Sequence, residues 1–235
     1  TGGELNTFNE VVNNNRVNVS SGATLGRSYG GADTNYVQNA GRPTVNGTLS
    51  ATSVVINAGR LDGAGVIDGD LTILGGTLGP GNSPGAMEIT GDFVLTEAGT
   101  LHLEVGSDGL DPEGYLWDQL IVGGDYDLQG GLVKFSLLDG LDINNLESDF
   151  AIDDFFRTGT KDSDIGFDLL QLAMFGNLDF YAYDVSGDSW FSLALDETGG
   201  FLATASASPV PVPAAFWLFG SGLIGLIGVA RRRKA

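Results

Sequence analysis

Apolar and polar residues alternate with a period of two through much of this chain. In GTLHLEV, Leu101, Leu103 and Val105 fall on one face, and Thr100, His102 and Glu104 on the other. In LVKFSLL, Val133, Phe135 and Leu137 oppose Lys134 and Ser136, and in AMEIT, Met87 and Ile89 oppose Glu88 and Thr90. This period predicts half-buried β-strands. The strands are short, and each is entered through a turn glycine: TVNGTL (44–49), NAGRL (57–61), LGGTL (74–78), EAGTLHLEV (97–105), QGGLVKFSLL (129–138), with SSGATL (20–25) as a looser copy. The aliphatics that open them, Leu25, Leu49, Leu61, Leu78, Leu101 and Val133, lie 12 to 32 residues apart, so the repeat is irregular. Repeats of this size predict a solenoid, in which each rung buries its face against its neighbours. The expected class is all-β and the economical architecture a stacked β-helix. A β-sandwich also gives short strands with frequent turns and stays open as the alternative.

The texture changes near Leu141. LDINNLESDFAIDDFFRTGTKDSDIGFDLLQLAMFGN is acidic, aromatic and poor in glycine-led turns, with FDLLQLAMF (167–175) reading as a short helix. Alternation returns in SWFSLALDE (189–197). A solenoid must close its open end, and terminal repeats are atypical. Residues 1–140 are therefore expected to form the repeat body and 141–205 a cap or small terminal β-region. SASPVPVP makes 206–213 a proline-stiffened linker, and 214–235 is an apolar segment with a basic end.

Composition sharpens this picture. Of 235 residues, 37 are glycine without a three-residue period, which excludes collagen and fits a turn-rich β-protein. Seven basic residues precede the tail against 30 acidic ones, so the body carries −23 before Arg231, Arg232, Arg233 and Lys234 are counted. Such a body repels phosphate backbones, which argues against nucleic-acid partners, and it attracts cations. Cysteine is absent, which removes disulfide scaffolds and thiolate metal sites. The chain opens on Thr1 with no basic-then-apolar leader, so an exported form is expected to have lost its signal peptide.

GGTLGPGNSPGAMEITGDFVLTEAGTLHLEVG (75–106) followed by DQLIVGGDYDLQGGLVKFSLLDG (118–140) resembles the β-strand repeat of autotransporter passenger domains, with PGNSPG (80–85) as its most specific element. The similarity covers roughly residues 44–140. It implies a right-handed parallel β-helix in an exported surface protein, without implying the autotransporter secretion route.

The end of the chain reads PVPVPAAFWLFGSGLIGLIGVARRRKA (209–235). Ala214 to Ala230 carries no charge and would be about 26 Å long as a helix. Counted from Val210 the stretch reaches about 32 Å, enough for a bilayer core of about 30 Å. The expectation is one C-terminal transmembrane helix, with the basic cluster Arg231, Arg232, Arg233 and Lys234 stopping transfer on the cytoplasmic side. The same segment closely resembles the PEP-CTERM sorting signal of Gram-negative bacteria, in the variant reading Val-Pro-x-Pro-Ala: Val210, Pro211, Val212, Pro213, Ala214, then the apolar stretch, then the basic cluster. It departs from the usual core in having Pro211-Val212-Pro213 for Pro-Glu-Pro. The resemblance implies an exosortase substrate, held transiently in the inner membrane, cleaved near the proline motif and passed to the cell surface or extracellular matrix of an exopolysaccharide-producing cell.

Candidate chemistry is thin. Asp111, Glu113 and Asp118 around Tyr115 and Trp117 have the residue types of a sugar site, but a solvated loop is the preferred reading. His102 is the sole histidine, expected on the surface beside Glu104. In KDSDIGFD, Asp162, Asp164 and Asp168 around Gly166 are a fragment of calcium-loop spacing without the distal glutamate; calcium is a weak candidate, and no catalytic, cofactor-binding or metal-binding residue is assigned. The reading is a non-enzymatic structural or adhesive protein, sorted by exosortase and associated with extracellular polysaccharide, a biofilm or neighbouring cells. A polysaccharide lyase or glycosidase on the same scaffold, and a permanently anchored single-pass adhesin, are the alternatives.

Overall fold

The computed structural model describes residues 4–5, 10–26, 34–82, 84–107, 115–160, 179–184 and 189–206. In this span the chain passes back and forth between two sheets. Thr44–Val45, Arg60–Gly63, Thr77–Pro80, Thr100–Ser107 and Leu132–Leu137 belong to one. The intervening Thr48–Ile56, Val66–Ile73, Ala86–Ile89, Phe93–Leu95, Gln119–Val122 and Tyr126–Leu128 belong to the other.

Strand register, with one irregularity between Ser50 and Ser53, converts the alternation into a core. In the Thr48–Ile56 sheet Leu49 pairs with Ile67, Ile67 with Ile89 and Ile89 with Val122. A second column runs Tyr36, Val54, Leu71, Phe93, Tyr126. In the opposite sheet Leu61, Leu78, Leu101 and Val133 stack in register, beside Leu103 with Phe135 and Val105 with Leu137. All of these are buried. Removing a side chain of this size from water stabilises by about 1.5–3 kcal/mol, and each rung supplies several.

One corner is built by a recurring triplet. Gly69-Asp70-Leu71, Gly91-Asp92-Phe93 and Gly124-Asp125-Tyr126 lie over one another. The carboxylate of Asp70 accepts the backbone N–H of Asp92 at 2.9 Å, and that of Asp92 accepts the N–H of Asp125 at 2.9 Å. The glycines are required by space: a methyl on Gly91 would lie 2.8 Å from the carbonyl oxygen of Gly69, and one on Gly124 2.8 Å from that of Gly91.

The purely parallel right-handed solenoid is not what forms. The Thr100–Ser107 sheet is mixed: Tyr115–Trp117 runs antiparallel to Thr100–Ser107, and Asp179–Asp184, Ser189–Leu195 and Phe201–Ser206 end the sheet as an antiparallel run. The connections explain why, since a parallel neighbour needs a long crossover and a tight turn enforces antiparallel pairing. At 196–200 the Asp196 carboxylate accepts the N–H groups of Thr198 and Gly200 at 2.8 and 3.0 Å, folding the chain straight back. The β-sandwich alternative does not form either, because it pairs antiparallel strands and the ladders from Thr44 to Thr158 are parallel apart from Tyr115–Trp117. No helix among the described residues is long and apolar enough to cross a membrane. The stretch 214–235 expected to do so lies outside the described residues, as do the helix expected at 167–175 and most of the linker 206–213.

Two short helices, Ile143–Asp149 and Ile152–Phe155, follow Leu132–Leu137. Asp142 caps the first by accepting the Asn144 N–H at 2.8 Å, while the Asn145 side chain accepts the Asp142 N–H at 3.0 Å. They bring Phe155 onto Phe135 and Phe201, with Phe150 packed between Phe155 and Trp117; the Phe135 and Phe155 rings meet edge to face at 4.9 Å, and those of Phe135 and Phe201 at 5.2 Å.

Candidate functional site

The outward side chains of the Thr100–Ser107 sheet form a cleft of about 430 Å³. Arg16, Arg42 and Arg60 line it together with Asp62, Glu104 and Asp118, and Pro80-Gly81-Asn82 forms part of its wall. The arginines are placed by a repeated local pattern. Arg16-Val17-Asn18-Val19, Arg42-Pro43-Thr44-Val45 and Arg60-Leu61-Asp62-Gly63 each open with arginine, and the pairs Asn18 with Thr44 and Thr44 with Asp62 hold them in register. Parallel strands lie about 4.8 Å apart, so three guanidinium stems are stacked on consecutive rungs. Asp62 offsets part of this repulsion: it accepts from Arg42 Nε at 2.6 Å and bonds Arg60 Nε. Arg16 has no acidic partner among the described residues.

Arg60 extends across Gly79 and donates from Nη1 to His102 Nδ1 at 2.6 Å. A guanidinium has no acceptor, so Nδ1 must be the unprotonated nitrogen and Nε2–H donates to Ser136 Oγ. The Tyr183 ring, 6.4 Å away, lies nearly parallel to the imidazole. Burial first, then the charges of Arg60, Lys134 and Arg42, push His102 down to about 3. The alternation placed this residue on the outward face, as found, but it is not a surface histidine: only 8% of it is exposed. Its cover comes from Arg60, Ser136 and Tyr183, on three other rungs.

Asp118 closes the other side of the cleft. Its two oxygens accept the backbone N–H groups of Gly85 at 2.8 Å and Glu104 at 2.9 Å, tying the PGNSPG turn to the neighbouring strand. Burial raises its carboxyl to about 7, against those two hydrogen bonds. Of the residues grouped with it in the sequence, Trp117 is separated by the alternation. Its indole donates to the Asp154 carbonyl at 2.8 Å and its ring meets Phe150 edge-on. Asp111 and Glu113 lie outside the described residues, as do Asp162, Asp164 and Asp168 of the calcium-like loop. Among the described residues no group of three or more metal-ligating side chains comes together. The sequence reading missed the arginine cleft, whose signal was the three Arg-led tetrapeptides.

The sorting residues Val210, Pro211, Val212, Pro213 and Ala214 and the cluster Arg231, Arg232, Arg233 and Lys234 also lie outside the described residues. For them the comparison with known proteins speaks instead. No curated protein and no solved structure matches this chain. The family model of the PEP-CTERM protein-sorting motif does match, over residues 209–234, and it points to an exported surface protein processed by exosortase.

Proposed function

We propose that this chain is a structural or adhesive protein of the cell surface or extracellular matrix, delivered there by exosortase and acting without chemistry of its own. The observation that carries the reading is the PEP-CTERM match at 209–234. Within it, Val210-Pro211-Val212-Pro213-Ala214 is the recognition element of the Val-Pro-x-Pro-Ala variant, and Arg231, Arg232, Arg233 and Lys234 mark the end that is discarded. The stacked, acidic β-body is suited to presenting a long, hydrated surface to exopolysaccharide or a neighbouring cell.

The test is peptide mass spectrometry of the carboxyl terminus, on protein from native cells and from spent matrix, with and without the exosortase. A mature end near Val210–Ala214 that requires the enzyme is the expected result. An intact Arg-Arg-Arg-Lys-Ala end in both strains overturns it in favour of a retained adhesin. A glycosidase reading has one observation in its favour, since Asp118 and Glu104 line one cleft and Asp118 titrates near neutrality. Both Asp118 oxygens are committed to backbone amides, which favours a brace over a proton donor.

A further inference from the structure

We propose that the arginine cleft binds the carboxylate-bearing sugar units of an acidic polysaccharide. This deepens the surface reading and rests on it for where such a polymer is met. The first support is placement. The basic residues among the described ones are Arg16, Arg42, Arg60, Lys134 and Arg157. In a chain of net charge −19, three of these five converge on one cleft. A fourth, Lys134, shares its sheet face, where its ammonium lies 4.3 Å from the Tyr183 ring centre. The charge pattern of the whole molecule does not predict such a concentration; the repeated Arg-led tetrapeptide builds it rung by rung.

The second support is chemistry. A guanidinium presents paired N–H donors that fit a planar carboxylate. Arg16 and Arg42 are exposed, and Arg16 has no acidic partner among the described residues. Arg60 is committed to Asp62 and His102, which fixes the cleft floor. Asp62 and Glu104 line the same cleft and offer carboxylate acceptors for sugar hydroxyls. A polymer of carboxylates alone uses the arginines and is repelled by the two acids. A uronate, with one carboxylate and neighbouring hydroxyls, uses both. The negative body opposes a polyanion at long range, but at physiological salt that field is screened beyond about 8 Å, leaving the contacts within the cleft to decide.

The experiment is isothermal titration of the full chain in mild detergent with hexagalacturonate, a neutral glucose hexamer and hexaglutamate at equal salt, repeated with Arg16→Ala, Arg42→Ala and Lys134→Ala. Arg16 and Arg42 are exposed, and urea unfolding checks that their variants remain folded. The expected result is binding of the uronate above both other probes, weakened ~10-fold by each cleft variant, since each removes a charge-assisted hydrogen bond. Lys134→Ala, outside the cleft, changes it less than twofold. Equal binding of hexaglutamate, no uronate binding, or indifference to Arg16 and Arg42 each overturns the proposal. The outcome is independent of carboxyl-terminal processing, so a failed cleft and a failed sorting assignment are read separately.

Discussion

Replacing His102 with glutamine should expose a proton-linked term in stability that the intact protein conceals. The ordinary histidine value is 6.5, and in the fold His102 is held at about 3 by burial and by the neighbouring cations, Arg60 foremost. A depressed folded value means that the neutral imidazole is the form the fold tolerates. Its contribution is complete well above pH 6.5 and is lost as pH falls through 6.5 toward 3. One proton's difference between the folded and unfolded states changes stability by about 1.4 kcal/mol per pH unit. At pH 6.5 the unfolded histidine is only half protonated, so between pH 6.5 and 4.5 the contribution shrinks by roughly 2 kcal/mol. Asp118 works in the opposite sense: its folded value, raised from 3.8 to about 7, stabilises at low pH and is lost as pH rises to 7. The two windows overlap between about pH 4 and 6.5, where their slopes cancel in the wild type. Urea unfolding of wild type and His102→Gln at pH 4.5, 5.5 and 6.5 isolates the histidine, because the other carboxylates are common to both. The difference in unfolding free energy should grow by roughly 2 kcal/mol from the lowest to the highest pH. A constant difference would refute the buried, neutral histidine and the tautomer assigned from Arg60.

The mirror experiment uses Asp118→Asn, for which the advantage of wild type over variant should shrink as pH rises from 4 to 7, again read by urea unfolding. Phe135→Ala removes the ring on which Phe155 and Phe201 converge and should cost about 3–5 kcal/mol, seen as a lowered urea midpoint with an unchanged slope. Gly91→Ala pushes a methyl into the carbonyl of Gly69 and should destabilise by about 1–3 kcal/mol or more; the same substitution at Gly140, where an added methyl meets nothing within 4 Å, is no control for space alone because its φ of +81° is itself unfavourable for alanine. A better control is Ala98→Gly at an exposed turn position, which should leave the midpoint within ~0.5 kcal/mol.

The strands were legible because their signal is local. Leu101, Leu103 and Val105, then Val133, Phe135 and Leu137, then Met87 and Ile89, all point into the core as the alternation demands. The arrangement of those strands was less so. The aliphatics read as one irregular repeat belong to two sheets: Leu25 and Leu49 pair in one, and Leu61, Leu78, Leu101 and Val133 in the other. Spacing along the chain mixes corners and crossovers of unequal length, so it cannot separate them. His102 shows the same limit, since its outward direction is a local property and its burial is made by partners as far apart in the chain as Arg60 and Tyr183. The arginines were lost in a total: 30 acidic residues set the sign of the charge, and register alone brings Arg16, Arg42 and Arg60 together. The terminal antiparallel run was hidden because nothing in SWFSLALDE specifies the direction of its neighbour.

The Gly-Asp corner has a directional consequence. Asp70 holds the acceptor that Asp92 needs, and Asp92 the one that Asp125 needs, so each rung supplies the template for the one that follows it in the chain. A polypeptide threaded through a translocation pore with its amino end leading can therefore fold vectorially, closing loops of only 22 and 33 residues at this corner as each new segment emerges. The sorting motif at 209–234 leaves such a pore after these segments, when the rungs joined at the Gly-Asp corner are already in place.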